Sequence, residues 1–109
     1  MAGFSITVLS SCGKTTVLKE SPAVNLLKAN ESFRVVLPED HTKGYTWVLD
    51  NAYDASVCKH ENTVWHGPDK GVYFEFKALK TGTLNLKFLS RMYTDTADIK
   101  VFSIKIHSS

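Results

Sequence analysis

The sequence has no apolar stretch that approaches the length of a transmembrane helix. The apolar run near its start, residues 4–9, alternates with hydroxyl side chains and follows no basic segment. Such a run is typical of a strand, and it is too short for the core of a signal peptide. We therefore expect the protein to be cytoplasmic.

A strong charge of either sign is also missing. The 109 residues include 13 Lys and Arg and 11 Asp and Glu, which give a formal net charge of +2, and no basic run is interleaved with aromatic side chains. This argues against a nucleic-acid-binding protein. With 43% hydrophobic and 22% charged residues, the sequence is typical of one globular domain over residues 1–109. That length is enough to close a hydrophobic core without a metal or a disulfide.

Cysteine is scarce, with Cys12 and Cys58 as the two examples. The sequence does not decide whether they pair. Because we identify no secretory signal and the cytosol keeps thiols reduced, we expect both to be free.

Recognisable metal and catalytic motifs are absent as well. Cys58, His60 and His66 follow the spacing of no established zinc site and lack a fourth ligand. Neither thiol has the local signature of a Cys–His hydrolase, which leaves an enzyme using Cys58 and a histidine as a remote alternative. Residues 12–15 resemble the end of a phosphate-binding loop, but Val8 stands where that motif has its first glycine. The sequence predicts no catalytic residue, no metal, no cofactor, and neither nucleic acid nor a membrane as partner.

The sequence is rich in period-two alternation, whereas helical periodicity is almost absent. Residues 20–30 are ambiguous, and we interpret them as a connection that lies on the core; residues 56–60 form a weak strand at most. This profile, without repeats or linkers, predicts an all-β, immunoglobulin-like antiparallel β-sandwich of seven to eight strands. The clear alternating segments are residues 4–8, 15–18, 33–37, 45–49, 72–76, 84–88 and 99–106.

Strand alternation also predicts where the loops lie. In an antiparallel sandwich, successive connections alternate between the two ends. The loops at residues 40–44, 61–71 and 90–97 should therefore share one end and form a candidate binding surface, because recognition residues are commonly held on loops by a rigid scaffold.

The first of these loops leads into a recognisable motif, Asp40-His41-Thr42-Lys43-Gly44-Tyr45-Thr46-Trp47. It resembles the Asn-Pro-Thr-Thr-Gly-(aromatic)-x-Trp signature of the chagasin-like inhibitors of papain-family cysteine peptidases. The sequence departs from that signature at Asp40, His41 and Lys43. Independently of the resemblance, Trp47 is expected in the core and Gly44 is expected to be a turn residue.

Two further motifs follow in the order that this family has. The stretch Gly67-Pro68-Asp69-Lys70-Gly71, before the aromatic strand at residues 72–76, is similar to the family's Gly-rich loop. The stretch Ser90-Arg91-Met92-Tyr93 is similar to its Arg-Pro-(aromatic) turn, with Met92 in place of proline and one extra residue of spacing. Without the family argument, Arg91 could equally be a solvated loop charge.

The resemblance implies a monomeric, reversible, non-covalent inhibitor of papain-family cysteine peptidases, and no enzyme. It implies that three loops enter the substrate cleft, with the first as a central wedge. The alternative is an immunoglobulin-like adhesion or protein-binding module that uses the same loops for a non-peptidase partner. The expected peptidase-binding residues are Asp40, His41, Thr42, Lys43, Gly44 and Tyr45; Trp65, His66, Gly67, Pro68, Asp69, Lys70 and Gly71; and Arg91, Met92 and Tyr93.

Overall fold

The computed structural model describes residues 15–39, 44–50, 52–92 and 95–108. These residues form eight strands and no helix. The strands are β1 (Thr16–Val17), β2 (Val24–Lys28), β3 (Ser32–Leu37), β4 (Thr46–Leu49), β5 (Cys58–Trp65), β6 (Val72–Ala78), β7 (Gly82–Met92) and β8 (Asp95–His107). The alternating segment at residues 4–8 lies outside the described residues. No helix in the described ranges could span a membrane.

The strands build two four-stranded sheets, in the orders β1-β3-β6-β5 and β2-β8-β7-β4. The predicted immunoglobulin-like sandwich is confirmed, with one refinement at its edges. β1 runs parallel to β3 and β2 runs parallel to β8, whereas the other pairs are antiparallel. The parallel β1–β3 pair arises because the chain crosses to the second sheet through β2 and returns, so β1 and β3 enter the first sheet in the same direction.

The core forms where the inward faces of both sheets carry aromatic and branched side chains. Phe33 and Phe76, neighbours on β3 and β6, stack with ring centroids 5.2 Å apart. Phe88 of the opposite sheet meets Phe74 at 4.8 Å and Phe102 at 5.6 Å. Every second residue of β3 and β6 is buried, so the apolar residues that alternate in the sequence of these two strands are the ones that face the core.

Three segments differ from the prediction. Residues 20–30 contain a strand, β2, that pairs with β8 at the sheet edge. The weak strand at residues 56–60 is an eight-residue strand, β5, so the second loop covers residues 66–71 and not 61–71. The supposed loop at residues 90–97 is mostly a strand hairpin, because β7 continues to Met92 and β8 starts at Asp95. β5 is an edge strand with mostly exposed side chains, and β7–β8 is solvated beyond the core, so neither segment needs apolar alternation.

Candidate functional site

Three connections meet at one end of the sandwich: β3 to β4, β5 to β6, and β7 to β8. Their described flanks line one concavity of about 380 Å³. The shared end that strand alternation predicts is therefore present, and we call it the loop end. The lining residues are Pro38, Glu39, Tyr45 and Trp47 from the first connection, Pro68 from the second, and Ser90, Ala97 and Asp98 from the β7–β8 hairpin.

Trp47 closes the base of the first loop. Its side chain is buried, as predicted. Its backbone N–H donates to the Glu39 Oε1 atom at 2.7 Å, and its indole Nε1–H donates to the Pro38 carbonyl oxygen at 2.7 Å. Both hydrogen bonds join residues eight or nine positions apart across the loop. The two ends of the loop are therefore tied to each other independently of residues 40–43, which lie outside the described residues.

A second tryptophan reaches the same base from the neighbouring sheet. Trp65 is the last residue of β5, and its Nε1–H donates to the Glu39 carbonyl oxygen at 2.8 Å. The side chain remains 40% exposed. The Glu39 carboxylate thus accepts from Trp47 and the Glu39 carbonyl from Trp65, and the residue is buried although it is acidic.

Gly71 permits the close approach between the first and second loops. It has a φ of +81°, and a Cβ atom there would lie 2.1 Å from the Leu37 carbonyl oxygen. Such a contact is impossible, so only glycine fits without a shift of the backbone. The second loop is therefore packed directly against the residue that precedes Pro38.

Gly44 makes the corresponding approach to the β7–β8 hairpin. Its φ is +83°, and a Cβ atom would lie 3.2 Å from the Met92 Sδ atom. The expectation that Gly44 is a turn residue is confirmed, and the loop's C-terminal end lies against the third connection. The first connection therefore packs against both the second and the third.

The second loop is closed by its own backbone. The His66 N–H donates to the Gly71 carbonyl oxygen at 2.8 Å, and the Gly71 N–H donates to the Gly67 carbonyl oxygen at 2.8 Å. The His66 ring packs on the Tyr73 ring, with centroids 4.1 Å apart. Pro68, Asp69 and Lys70 remain exposed at the tip. The exposed tip of this loop is therefore preformed.

The β7–β8 hairpin carries the third set of predicted residues. Arg91 is exposed and pairs with Thr46 of β4 on one side and with Thr96 of β8 on the other. Met92 is half-buried, because it lies against Gly44. Tyr93 lies outside the described residues.

The structure thus brings all of the predicted residues that it describes to the loop end, namely Gly44 and Tyr45, Trp65 to Gly71, and Arg91 with Met92. Asp40, His41, Thr42 and Lys43 lie outside the described residues. Among the described residues at this end, Glu39 and Ser90 are polar and buried. The sequence analysis did not single out Glu39, and it named Ser90 only as the first residue of the third motif. The available signal, an acidic residue directly after Pro38, is weak because acidic residues next to loops are usually solvated.

Cys58 lies at the other end of β5. It lies seven positions before Trp65, which corresponds to roughly 20 Å along a strand. The thiol is free and buried, and burial, with a smaller contribution from Asp54, raises its pKa to about 11. A thiol that stays protonated at neutral pH and lies far from the concavity is a poor nucleophile. Cys12 lies outside the described residues.

The histidines near Cys58 have structural partners. The His60 Nε2 atom lies 2.7 Å from the Thr63 Oγ1 atom, and the ring packs beside Phe76 with centroids 5.1 Å apart. Among the described residues, no three His, Cys, Asp or Glu side chains converge as a metal site would require.

Comparison with known proteins finds matches in structure. No protein-family profile matches the chain, and no curated protein matches its sequence. The crystal structure of EhICP2, a cysteine protease inhibitor from Entamoeba histolytica, superposes with a TM-score of 0.72 at 18% identity, covering 85% of this chain and 95% of that one. The solution structure of amebosin superposes with a TM-score of 0.53 at 18% identity, covering 89% and 100%. The resemblance predicted from the three motifs is therefore confirmed at the level of the fold.

Proposed function

We propose that the protein is a reversible, non-covalent inhibitor of papain-like cysteine peptidases and that it has no catalytic activity of its own. One observation carries this proposal: the three motif-bearing connections meet at one end of a sandwich that shares its fold with a solved cysteine protease inhibitor. The loop end is the surface that would enter the substrate cleft. The protein would act as a monomer in the cytoplasm.

The first loop is the proposed central wedge. Thr42 is small enough to approach the catalytic Cys–His pair of a peptidase, and its hydroxyl group can hydrogen-bond there. In this mode of binding, no peptide bond of the inhibitor is placed where the catalytic cysteine could attack it. The peptidase would therefore not cleave the inhibitor. The cross-loop hydrogen bonds of Trp47 support this role, because they hold the ends of the wedge before binding.

The second loop and the hairpin would contact the cleft on either side of the wedge. Exposed Arg91 is the main candidate in the hairpin, because arginine is enriched among residues that dominate binding energy. A standard interface buries about 800 Å² on each partner, which three supported loops can supply. Loops already closed by backbone hydrogen bonds lose less conformational entropy on binding than mobile loops do.

The test is a titration of papain, or a cathepsin L-like enzyme, of known active-site concentration against a fluorogenic peptide. We expect activity to fall to near zero at about one equivalent and to return after dilution. Electrophoresis of the mixture should show intact inhibitor after long incubation. If several papain-like peptidases stay fully active, the proposal fails, and a complex that forms without inhibition would favour a protein-binding module.

A further inference from the structure

Trp65 was expected to contact a peptidase, but its indole N–H already binds within the protein. It donates to the Glu39 carbonyl oxygen at 2.8 Å, although Trp65 ends β5, Glu39 follows β3, and the two residues are 26 positions apart. An exposed tryptophan at a protein surface can be a binding hot spot through its ring. Here the polar edge of the ring has a specific internal partner at the base of the first loop.

Two hydrogen bonds from Trp47 accompany this one on two adjacent residues, Pro38 and Glu39. Trp65 holds the Glu39 carbonyl, Trp47 holds the Pro38 carbonyl with its indole, and the Trp47 backbone N–H holds the Glu39 carboxylate. We call this set the indole clamp. The Gly71 backbone lies directly behind it, against the Leu37 carbonyl.

We infer that the indole clamp is the device that positions the first loop, and that Trp65 acts in inhibition as a positioning residue through its N–H. This inference rests on the proposed function and deepens it. Pro38 and Glu39 immediately precede the loop, and the Glu39 carboxylate spans the loop to residue 47. Fixing these residues fixes the direction in which the chain leaves β3 and returns to β4.

The contribution of each bond follows from its surroundings. Glu39 is buried, so the hydrogen bond from the Trp65 indole to its carbonyl lies in a poorly hydrated position, beside the carboxylate that accepts from the Trp47 N–H. A lost hydrogen bond of this kind weakens an equilibrium by about five- to tenfold. The loss should appear in the affinity for the peptidase, because the free loop then samples positions that do not fit the cleft.

Phenylalanine and alanine at position 65 separate the positioning role from direct contact. Trp65→Phe keeps an aromatic ring and removes the N–H, whereas Trp65→Ala removes both. If the N–H positions the loop, Trp65→Phe should already lose about five- to tenfold in Kd, which is most of the loss in Trp65→Ala. If the ring makes the contact, Trp65→Phe should bind nearly as tightly as wild type. Val64→Ala, one residue earlier on the same edge strand, controls for general effects on β5.

The decisive experiment measures Kd for a papain-like peptidase and amide hydrogen exchange of the free proteins, in wild type and these three variants. We expect the Trp47 amide to lose protection in Trp65→Phe but not in Val64→Ala. A Trp65→Phe protein with wild-type Kd and wild-type protection overturns the inference. If the wild type inhibits no peptidase, the proposed function fails on its own, and the exchange data alone decide: lost Trp47 protection in Trp65→Phe supports the clamp, and unchanged protection refutes it.

Discussion

Gly67 and Gly71 provide a matched pair for testing how the second loop supports the first. Both have positive φ, +96° and +81°, and both lie in the connection between β5 and β6. A Cβ atom at Gly67 would have no neighbour within 4 Å, whereas one at Gly71 would lie 2.1 Å from the Leu37 carbonyl oxygen and 3.1 Å from the Pro38 Cα atom. Alanine at each position therefore introduces the same backbone penalty but a very different steric one.

The expected magnitudes follow from that difference. Gly67→Ala should cost about 1–2 kcal/mol in unfolding free energy, because a side chain is strained in the left-handed region. Gly71→Ala has the same backbone cost, and its new methyl group must also displace the Leu37 carbonyl. We expect this displacement to lower the unfolding free energy by roughly 1–3 kcal/mol more, as much as overpacking a core does. Gly71→Ala should also weaken peptidase binding more than Gly67→Ala does, since the displaced chain leads into the indole clamp.

Urea unfolding at equilibrium, followed by tryptophan fluorescence, measures both costs. The transition midpoint should fall further for Gly71→Ala than for Gly67→Ala, with unchanged m-values. Equal midpoints for the two variants would refute the close approach of the second loop to Leu37.

Three other substitutions test separate parts of the account. Thr42→Arg should weaken inhibition by at least about 100-fold, equivalent to about 2.7 kcal/mol, with a wild-type melting temperature; full inhibition by a normally folded variant would remove Thr42 from the wedge. Trp47→Ala should lower the unfolding free energy by about 3–5 kcal/mol, because a buried aromatic side chain and two cross-loop contacts are disturbed; a loss below about 1 kcal/mol would contradict its place in the core. The raised pKa of Cys58 means that the folded state holds the thiol proton more tightly than the unfolded state does. The contribution of this thiol to the unfolding free energy is therefore complete below pH 9.0 and is lost as the pH rises towards about 11. Unfolding free energy should fall less over that interval in Cys58→Ala, and identical pH profiles would contradict the burial of the thiol.

The alternation of apolar and polar residues predicted the central strands because each of these strands buries one face in the core between the two sheets. Phe33, Phe74 and Phe88 are deeply buried at the expected positions. The same signal failed for β5, since an edge strand with mostly exposed side chains needs no apolar face. β5 is specified by its pairing with β6, from Cys58 opposite Ala78 to Trp65 opposite Val72, and such pairing is a tertiary feature.

The location of the candidate site could be predicted from the sequence, but the contacts that hold its loops in place could not. Counting connections was enough to bring the three motifs to one end. The role of Glu39 depends on tertiary contacts with residues 47 and 65, and the sequence around Glu39 does not predict those contacts. Likewise, Gly71 was recognisable as a loop glycine, but the reason for glycine is the Leu37 carbonyl from another strand.

The most direct test of the central claim compares binding to a papain-like peptidase with an open cleft and to the same enzyme with its cleft filled. The immobilised protein would be exposed to both forms, the second blocked by a small covalent ligand on the catalytic cysteine that occupies the substrate subsites. We expect tight, reversible one-to-one binding to the open enzyme and binding at least about 100-fold weaker to the blocked one. Equal binding to both forms would place the interface outside the cleft and contradict the proposed mode of inhibition.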